Sequence, residues 1–218
     1  MRVSLVIPTR NEAGSLEKTI KEIPTGFVDE IVVSDGHSAD GTLEIAKKLG
    51  CKAITQEGKG FGLGIISGIQ QATGNVIIIM DADGSQNPAD IPRLLEKINE
   101  GYDVGWGSRY LGGGKTDDDT WLRYFGNKFF TFLTGAIHGL KVADILYMFA
   151  AFKKDIFDKI KLESPGFEFC IELPIKAHKA GFKFGEVACV ERKRMTGETK
   201  VNDLVDGYKI LKAILKKY

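Results

Sequence analysis

Two aspartates one residue apart, directly behind an apolar run, are the strongest chemical signal in the chain. Residues 76–88 read VIIIMDADGSQNP, so Asp81 and Asp83 leave a strand end on the same side. Two carboxylates about 4 Å apart repel by roughly 1 to 4 kcal/mol, depending on the local dielectric. A hard divalent cation relieves that repulsion, and Mg²⁺ typically takes one or two carboxylates and fills its shell with substrate phosphates. The same residues also suit simpler ends. Asp83-Gly84 makes a turn, and Asp81 is positioned to cap the helix at Pro88.

Other strand ends carry polar groups too. In VIPTRNE, residues 6–12, Asn11 and Glu12 suit either the edge of a base or ribose, or the first turn of a helix, where acids are favoured. In VSDGHSADGT, residues 33–42, Asp35 is placed to accept from a base N–H and Asp40 to cap the next helix. His37 reads as a turn residue, because no partner His or Cys is near. Arg109, in GSR at 107–109, is placed to fork onto a phosphate. Arg123, Arg194 and Lys200 each read singly as surface cations. With the acidic pair they suit phosphates arriving on both sides of a transfer site. The acidic tract at 117–119 reads as a solvated loop.

Two glycine-bearing stretches imitate phosphate loops. GKGFGLG at 58–64 lacks the GxGxxG spacing, and its Lys59 meets a nucleotide phosphate or stands in solvent. GKT at 114–116 has Arg109 where a P-loop needs its first glycine, and no strand leads directly in.

A scaffold able to position these groups is legible in the periodicity. Predicted strands at 3–7, 30–33, 53–55, 76–80 and 104–106 alternate with helices at 12–22, 42–49, 62–72 and 88–99. That alternation implies a parallel sheet with crossover helices, with the fully apolar 76–80 in its centre. The polar groups fall at the carboxyl ends of the strands, where doubly wound sheets hold ligands. Beyond residue 110 the pattern predicts a loop at 112–119, an aromatic helix at 121–133, a strand at 146–152, a helix at 167–180, a strand at 183–190 and an amphipathic helix at 204–217. On the last helix Leu204, Tyr208, Leu211 and Leu215 share a face, with Lys209, Lys212, Lys216 and Lys217 beside it. That pattern suits a helix at a membrane interface and equally one packed on the domain. Phe129, Phe130 and Phe132 offer a second apolar surface.

At 218 residues and 43% hydrophobic, the chain has enough apolar surface for one large α/β domain or two small ones. Thirty basic against 29 acidic residues argue against a nucleic-acid partner. Three scattered cysteines without a CxxC suggest neither disulfides nor zinc, and a reducing cytoplasm. The one stretch long enough to be weighed as a membrane span, 129–152, is interrupted by His138, Lys141 and Asp144. The expectation is a soluble or peripheral protein.

Taken in order, VIPTRNE, SDGHSADGT, GKGFGLG, MDADGSQNP and GSRY resemble the inverting glycosyltransferases of family 2. GSRYLGGG, the helix with Trp121, Arg123 and Asn127, and EVACVERKRMTGETK look like the dolichyl-phosphate mannose synthase branch, over nearly the whole chain. The resemblance implies a single α/β domain of GT-A (Rossmann-like) fold, with a mixed, mostly parallel sheet flanked by helices. Residues 1–110 would form a nucleotide-sugar-binding half and 111–218 an acceptor-binding half. Pro8, Arg10, Glu12 and Asp35 would then hold the nucleotide, with Lys59 and Ala82 lining the donor site. Asp81 and Asp83, with Ser85 nearby, would hold Mg²⁺ or Mn²⁺ and the diphosphate. Arg194 and Lys200 would contact the donor, and Arg109 and Arg123 the acceptor phosphate.

The implied reaction is an in-line displacement at the anomeric carbon, from GDP-mannose or UDP-glucose to a polyprenyl phosphate at a membrane surface. An anionic acceptor needs no strong base, which suits a chain whose three histidines have no triad context. A hydroxyl acceptor would need an acidic base, and Asp144 is the candidate. A nucleotidyltransferase would want a glycine-rich basic loop after the first strand, where this chain has Pro8 and Glu12. A non-catalytic donor-binding module would have no need of the intact Asp81, Asp83 and Arg109 set.

Overall fold

Short apolar runs make β1 (Val3–Thr9), β2 (Glu30–Asp35), β3 (Lys52–Thr55) and β4 (Val76–Ile79). Between them cross α1 (Leu16–Lys21), α2 (Thr42–Lys48) and α3 (Phe61–Gln71). The computed structural model describes residues 1–197 and 199–218. After β4, a 3₁₀ turn at Pro88–Asp90 leads into α4 (Ile91–Asn99) and β5 (Val104–Ser108). The chain continues through β6 (Lys115–Thr116), α5 (Trp121–His138), β7 (Ala150–Lys153), α6 (Asp155–Lys159), α7 (Phe169–Lys179), β8 (Phe184–Ala188), β9 (Val190–Glu191) and α8 (Asp203–Ile214).

Seven strands form one sheet in the order β3-β2-β1-β4-β7-β5-β8. Only β7 is antiparallel, and it lies between β4 and β5. The sheet is therefore mixed and mostly parallel, as expected. β5 reaches β4 only through β7, which comes from beyond residue 110. β6 and β9 form a separate two-stranded ladder.

Helices cover both faces. Leu16, Ala46, Ile91, Leu94 and Ile98 pack on one side with Val76 and Ile78. Ile65, Ile69, Phe169 and Leu173 pack on the other with Ile77 and Ile79. Burial on both faces is why β4 is apolar without alternation.

Some boundaries differ from the predicted ones. α5 runs to His138 because Gly135 is accommodated inside it; the helix stops at Gly139, whose φ of 75° is the left-handed cap glycine favours. The strand predicted at 146–152 begins only at Ala150, because the residues before it turn Asp144 and Tyr147 towards Arg109. α8 packs through Ile210, Ala213 and Ile214 against Phe130, Leu133, Ile171 and Ile175. Its predicted apolar stripe therefore faces outward, with Leu204 86% exposed. Beside it, α5 turns out Trp121 (80% exposed), Phe125, Phe129 and Phe132 (74%), while Phe130 points inward. Among the described residues, no helix is long and apolar enough to cross a membrane.

Candidate active site

A cleft of about 540 Å³ opens at the carboxyl ends of β1 and β4. Pro8, Arg10, Glu12, Asp81, Ala82 and Asp83 form one wall, and Lys59 and Phe61 at the start of α3 form a second. The third wall comes from far along the chain: Phe167, Arg194, Lys200, and Asp206 and Lys209 of α8. Phe61 and Phe167 stack at 4.9 Å between centroids. Two glycines permit this. A Cβ on Gly60 or Gly62 would come within 2.1 Å of the carbonyl oxygen of Pro165 or Ser164, respectively. Without one, Gly62 N donates to Pro165 O at 2.9 Å.

Charges face each other across the cleft. Arg194 meets Asp83 at 3.1 Å, and Lys200 pairs with Glu12. Glu12 is anchored from below by Ser15 Oγ, which donates to its carboxylate, and its N–H donates to Thr42 Oγ1. Asp83 accepts from Ser85 N at 2.9 Å, closing a tight turn. Burial, then Asp83, Glu191 and Glu12, raise the Asp81 carboxyl well above its usual range, with Arg194 opposing. A run of backbone bonds fixes the cationic segment to the acidic loop: Arg192 N donates to Ser85 O and Met195 N to Asp83 O.

A second charged cluster lies outside the cleft lining. Arg109 is 8% exposed; its Nε donates to Asp144 at 2.7 Å and its Nη2 donates to the other carboxylate oxygen at 3.1 Å. Nη1 donates to Glu191 at 3.2 Å and lies 3.7 Å from Asp119. Glu191 also accepts from Thr116, and Asp119 from Tyr110, whose hydroxyl accepts from Asn127. Burial raises the Glu191 carboxyl, with Arg109 opposing.

The glycosyl transferase family 2 model matches residues 4–161, more than half of the chain. The chain belongs to glycosyltransferase family 2. It is 34% identical to a dolichol-phosphate mannosyltransferase of Pyrococcus furiosus over 97% of its own length, and it spans 64% of that relative. It is 32% identical to a dolichyl-phosphate hexose transferase of Haloferax volcanii, covering 98% of this chain and 92% of that one. Among solved structures, glucosyl-3-phosphoglycerate synthase of Mycobacterium tuberculosis, crystallised with Mn²⁺, UDP and glucosyl-3-phosphoglycerate, superposes with a TM-score of 0.81. The match covers 98% of this chain and 78% of that one at 19% identity, a likeness of fold. That likeness agrees with the GT-A architecture expected.

In this family 2 glycosyltransferase, Pro8, Arg10, Glu12, Lys59, Asp81, Ala82, Asp83, Arg194 and Lys200 come together on the cleft. Four other candidates do not line it. Asp35 lies beneath, 2% exposed, its oxygens taking Thr9 Oγ1, Ser38 Oγ and Ser38 N. It is not offered to a base. Ser85 is buried and contributes main-chain groups: its N–H closes the Asp83 turn and its carbonyl receives Arg192. Arg109 is not the open phosphate fork anticipated, because a buried guanidinium is held by the carboxylates that desolvation obliges it to pair with. Arg123 stands on the first turn of α5. Asp144, fully buried and paired twice with Arg109, is not placed as a base in the cleft. Nor is 117–119 simply solvated: Asp119 joins the Arg109 cluster, and β6 pins the loop to β9.

Sequence reasoning missed Phe167, Asp206 and Lys209, whose neighbours in space are distant in sequence. The alternating glycines at 58–64 were the available sign that another backbone crosses there. Among the described residues, no group of three or more acidic, His or Cys side chains forms a metal cage. Two carboxylates at a cleft suit a cation completed by substrate phosphates. The residues fit such an ion, which Asp81 and Asp83 would hold.

Proposed function

We propose that the chain transfers a hexose, with inversion, from a nucleotide-sugar to a polyprenyl phosphate at a membrane surface. One observation carries the reading: the acidic pair Asp81 and Asp83 lines a cleft at the carboxyl edge of the sheet where Arg194 meets Asp83 and Lys200 meets Glu12. Arg10 and Lys59 line the same cleft and in this reading contact the nucleotide. Asp81 and Asp83 hold Mg²⁺ or Mn²⁺, which supplies Lewis-acid stabilisation of the leaving diphosphate. Arg194 and Lys200 add preorganised positive charge where negative charge develops.

The burial of Asp144 against Arg109 removes the one base candidate named for a hydroxyl acceptor, which supports an acceptor that is already an anion. Arg123 receives the acceptor phosphate in this reading. Arg109 supports it by holding the loop from Tyr110 to Asp119 against Asp144 and Glu191. The contiguous apolar residues of α5 and α8 suit a lipid surface, since apolar patches of this kind mark interaction sites. Three free cysteines suit the reducing, cytoplasmic side of the membrane.

Similarity to the Pyrococcus and Haloferax enzymes makes GDP-mannose the first donor to test and UDP-glucose the second. Purified protein, Mn²⁺ and a short polyprenyl phosphate are incubated with each sugar nucleotide. Transfer from GDP-mannose to the phosphate is the expected result. Transfer only to hydroxyl acceptors would overturn the phosphate reading, and transfer only from UDP-glucose would replace the donor.

A further inference from the structure

We infer that Gln86 is the positioning residue that sets the Asp81 carboxylate for the cation. The inference rests on the reading that Asp81 and Asp83 hold a divalent metal. Gln86 is 2% exposed and grips Asp81 twice: its Nε2 donates to Asp81 Oδ2 at 3.0 Å, and its Oε1 accepts from Asp81 N at 2.9 Å. The two bonds fix the main chain and the side chain of Asp81 together. Asp81 is the second residue beyond β4, past Met80, whose N–H makes the last bond to β1.

Gln86 is itself held from the other side. Its backbone bridges antiparallel to Glu191, and Arg192 Nη2 donates to its carbonyl at 3.4 Å. Arg192 N to Ser85 O, at 2.7 Å, and Met195 N to Asp83 O, at 2.8 Å, extend the same strap along the loop. Glu191 continues into the Arg109 cluster, so the anchor of Gln86 is a buried ion pair. If the Asp81 side chain rotates, Gln86 cannot follow it.

The choice of an amide makes chemical sense. A lysine or arginine in this place would neutralise Asp81 and compete with the metal. A neutral donor satisfies one carboxylate oxygen and leaves the other, with its charge, for the ion. Preorganisation of this kind is typical of groups that hold metal-binding carboxylates.

The test uses the full chain and Mn²⁺ as the probe, with free Mn²⁺ read by electron paramagnetic resonance in the presence of a nucleoside diphosphate. Gln86→Met keeps the volume and removes both bonds. Its Mn²⁺ dissociation constant should rise about ten-fold, the usual effect of losing a hydrogen bond to a charged group. Its kcat should return towards wild type as Mn²⁺ is raised by the same factor. A merely structural Gln86 would lower the melting temperature and leave the Mn²⁺ affinity of the folded protein unchanged; that result, or a loss of kcat that excess Mn²⁺ does not relieve, overturns the inference. If Gln86→Met does not fold, Gln86→Asn withdraws the amide by one methylene and should shift affinity in the same direction by a smaller factor; wild-type affinity in that variant overturns the inference equally. Failure of the underlying reading looks different: wild-type protein that binds no Mn²⁺, or Asp83→Ala that binds it as well as wild type, overturns the metal assignment and this inference together.

Discussion

Arg194–Asp83 and Lys200–Glu12 join residues across the rim of the cleft, with the cations 23% and 40% exposed at their side chains. Arg109 meets Asp144 and Glu191 where the side chains are 8%, 0% and 12% exposed. The chemistry is the same in both places, and burial separates the consequences. The rim carboxylates are themselves only 10% and 9% exposed, but their cations reach solvent, so each rim pair is held less firmly than the buried cluster and a ligand phosphate can take over the cation. Breaking a buried pair costs about 3–5 kcal/mol, because the survivor is left charged and unpaired. The first arrangement suits binding and release, the second suits holding a frame in place.

The largest expected effect tests the rim. Asp83→Ala should reduce transfer by about three orders of magnitude, equivalent to several kcal/mol of lost electrostatic stabilisation, and EDTA should do the same to the wild type. Thermal melting should move little. Full activity in either case would end the metal reading.

Next comes the frame. Arg109→Ala should lower stability by about 3–5 kcal/mol, which in a chain of this size is roughly 6 to 20 °C in melting temperature. Arg109→Met with Asp144→Leu and Glu191→Met should recover part of that loss, because an apolar replacement of a whole buried ionic group is often neutral. An Arg109→Ala protein that melts like the wild type while losing acceptor saturation would break the comparison, since the guanidinium would then be serving a ligand.

Lys200→Ala is the smaller counterpart at the rim. Its donor KM should rise about ten-fold, as for a lost charge-assisted contact, with stability within about 1 kcal/mol of wild type. The mildest change in stability should come from Phe132→Glu, within about 0.5 kcal/mol. That variant should still sediment less with anionic vesicles; unchanged sedimentation would remove α5 from the membrane-facing surface.

Local signals made one wall of the cleft legible. An apolar strand followed by Asp81 and Asp83 states both its burial and its chemistry within a few residues, and VIPTRNE behaves alike. Arg109 was misread because nothing nearby in sequence announces its partners: Asp144 lies 35 residues on and Glu191 lies 82. Asp35 shows the same limit at shorter range. Its position at a strand end was read correctly, while its capture by Thr9 and Ser38 depends on a parallel register and a turn that periodicity does not give. The stripe on α8 was recognised as a pattern, but whether it faced in or out rested on Ile210 and Ile214 finding α5 and α7.

The place of β7 in the sheet has a consequence for how the chain is made. β4 is complete at residue 79 and β5 at 108, yet the strand that joins them begins only at Ala150, so β4 waits about 70 residues for its neighbour. During synthesis one edge of a wholly apolar strand is therefore exposed, the situation in which strands from different chains pair by mistake. The antiparallel insertion also adds long-range closures that slow folding, because loop entropy is lost before the contacts form. A fragment ending near residue 110 would contain most of the strands and still lack the one that joins β5 to the rest of the sheet. Vectorial emergence from the ribosome thus leaves this protein most vulnerable to aggregation shortly before β7 appears to cover the open edge of β4.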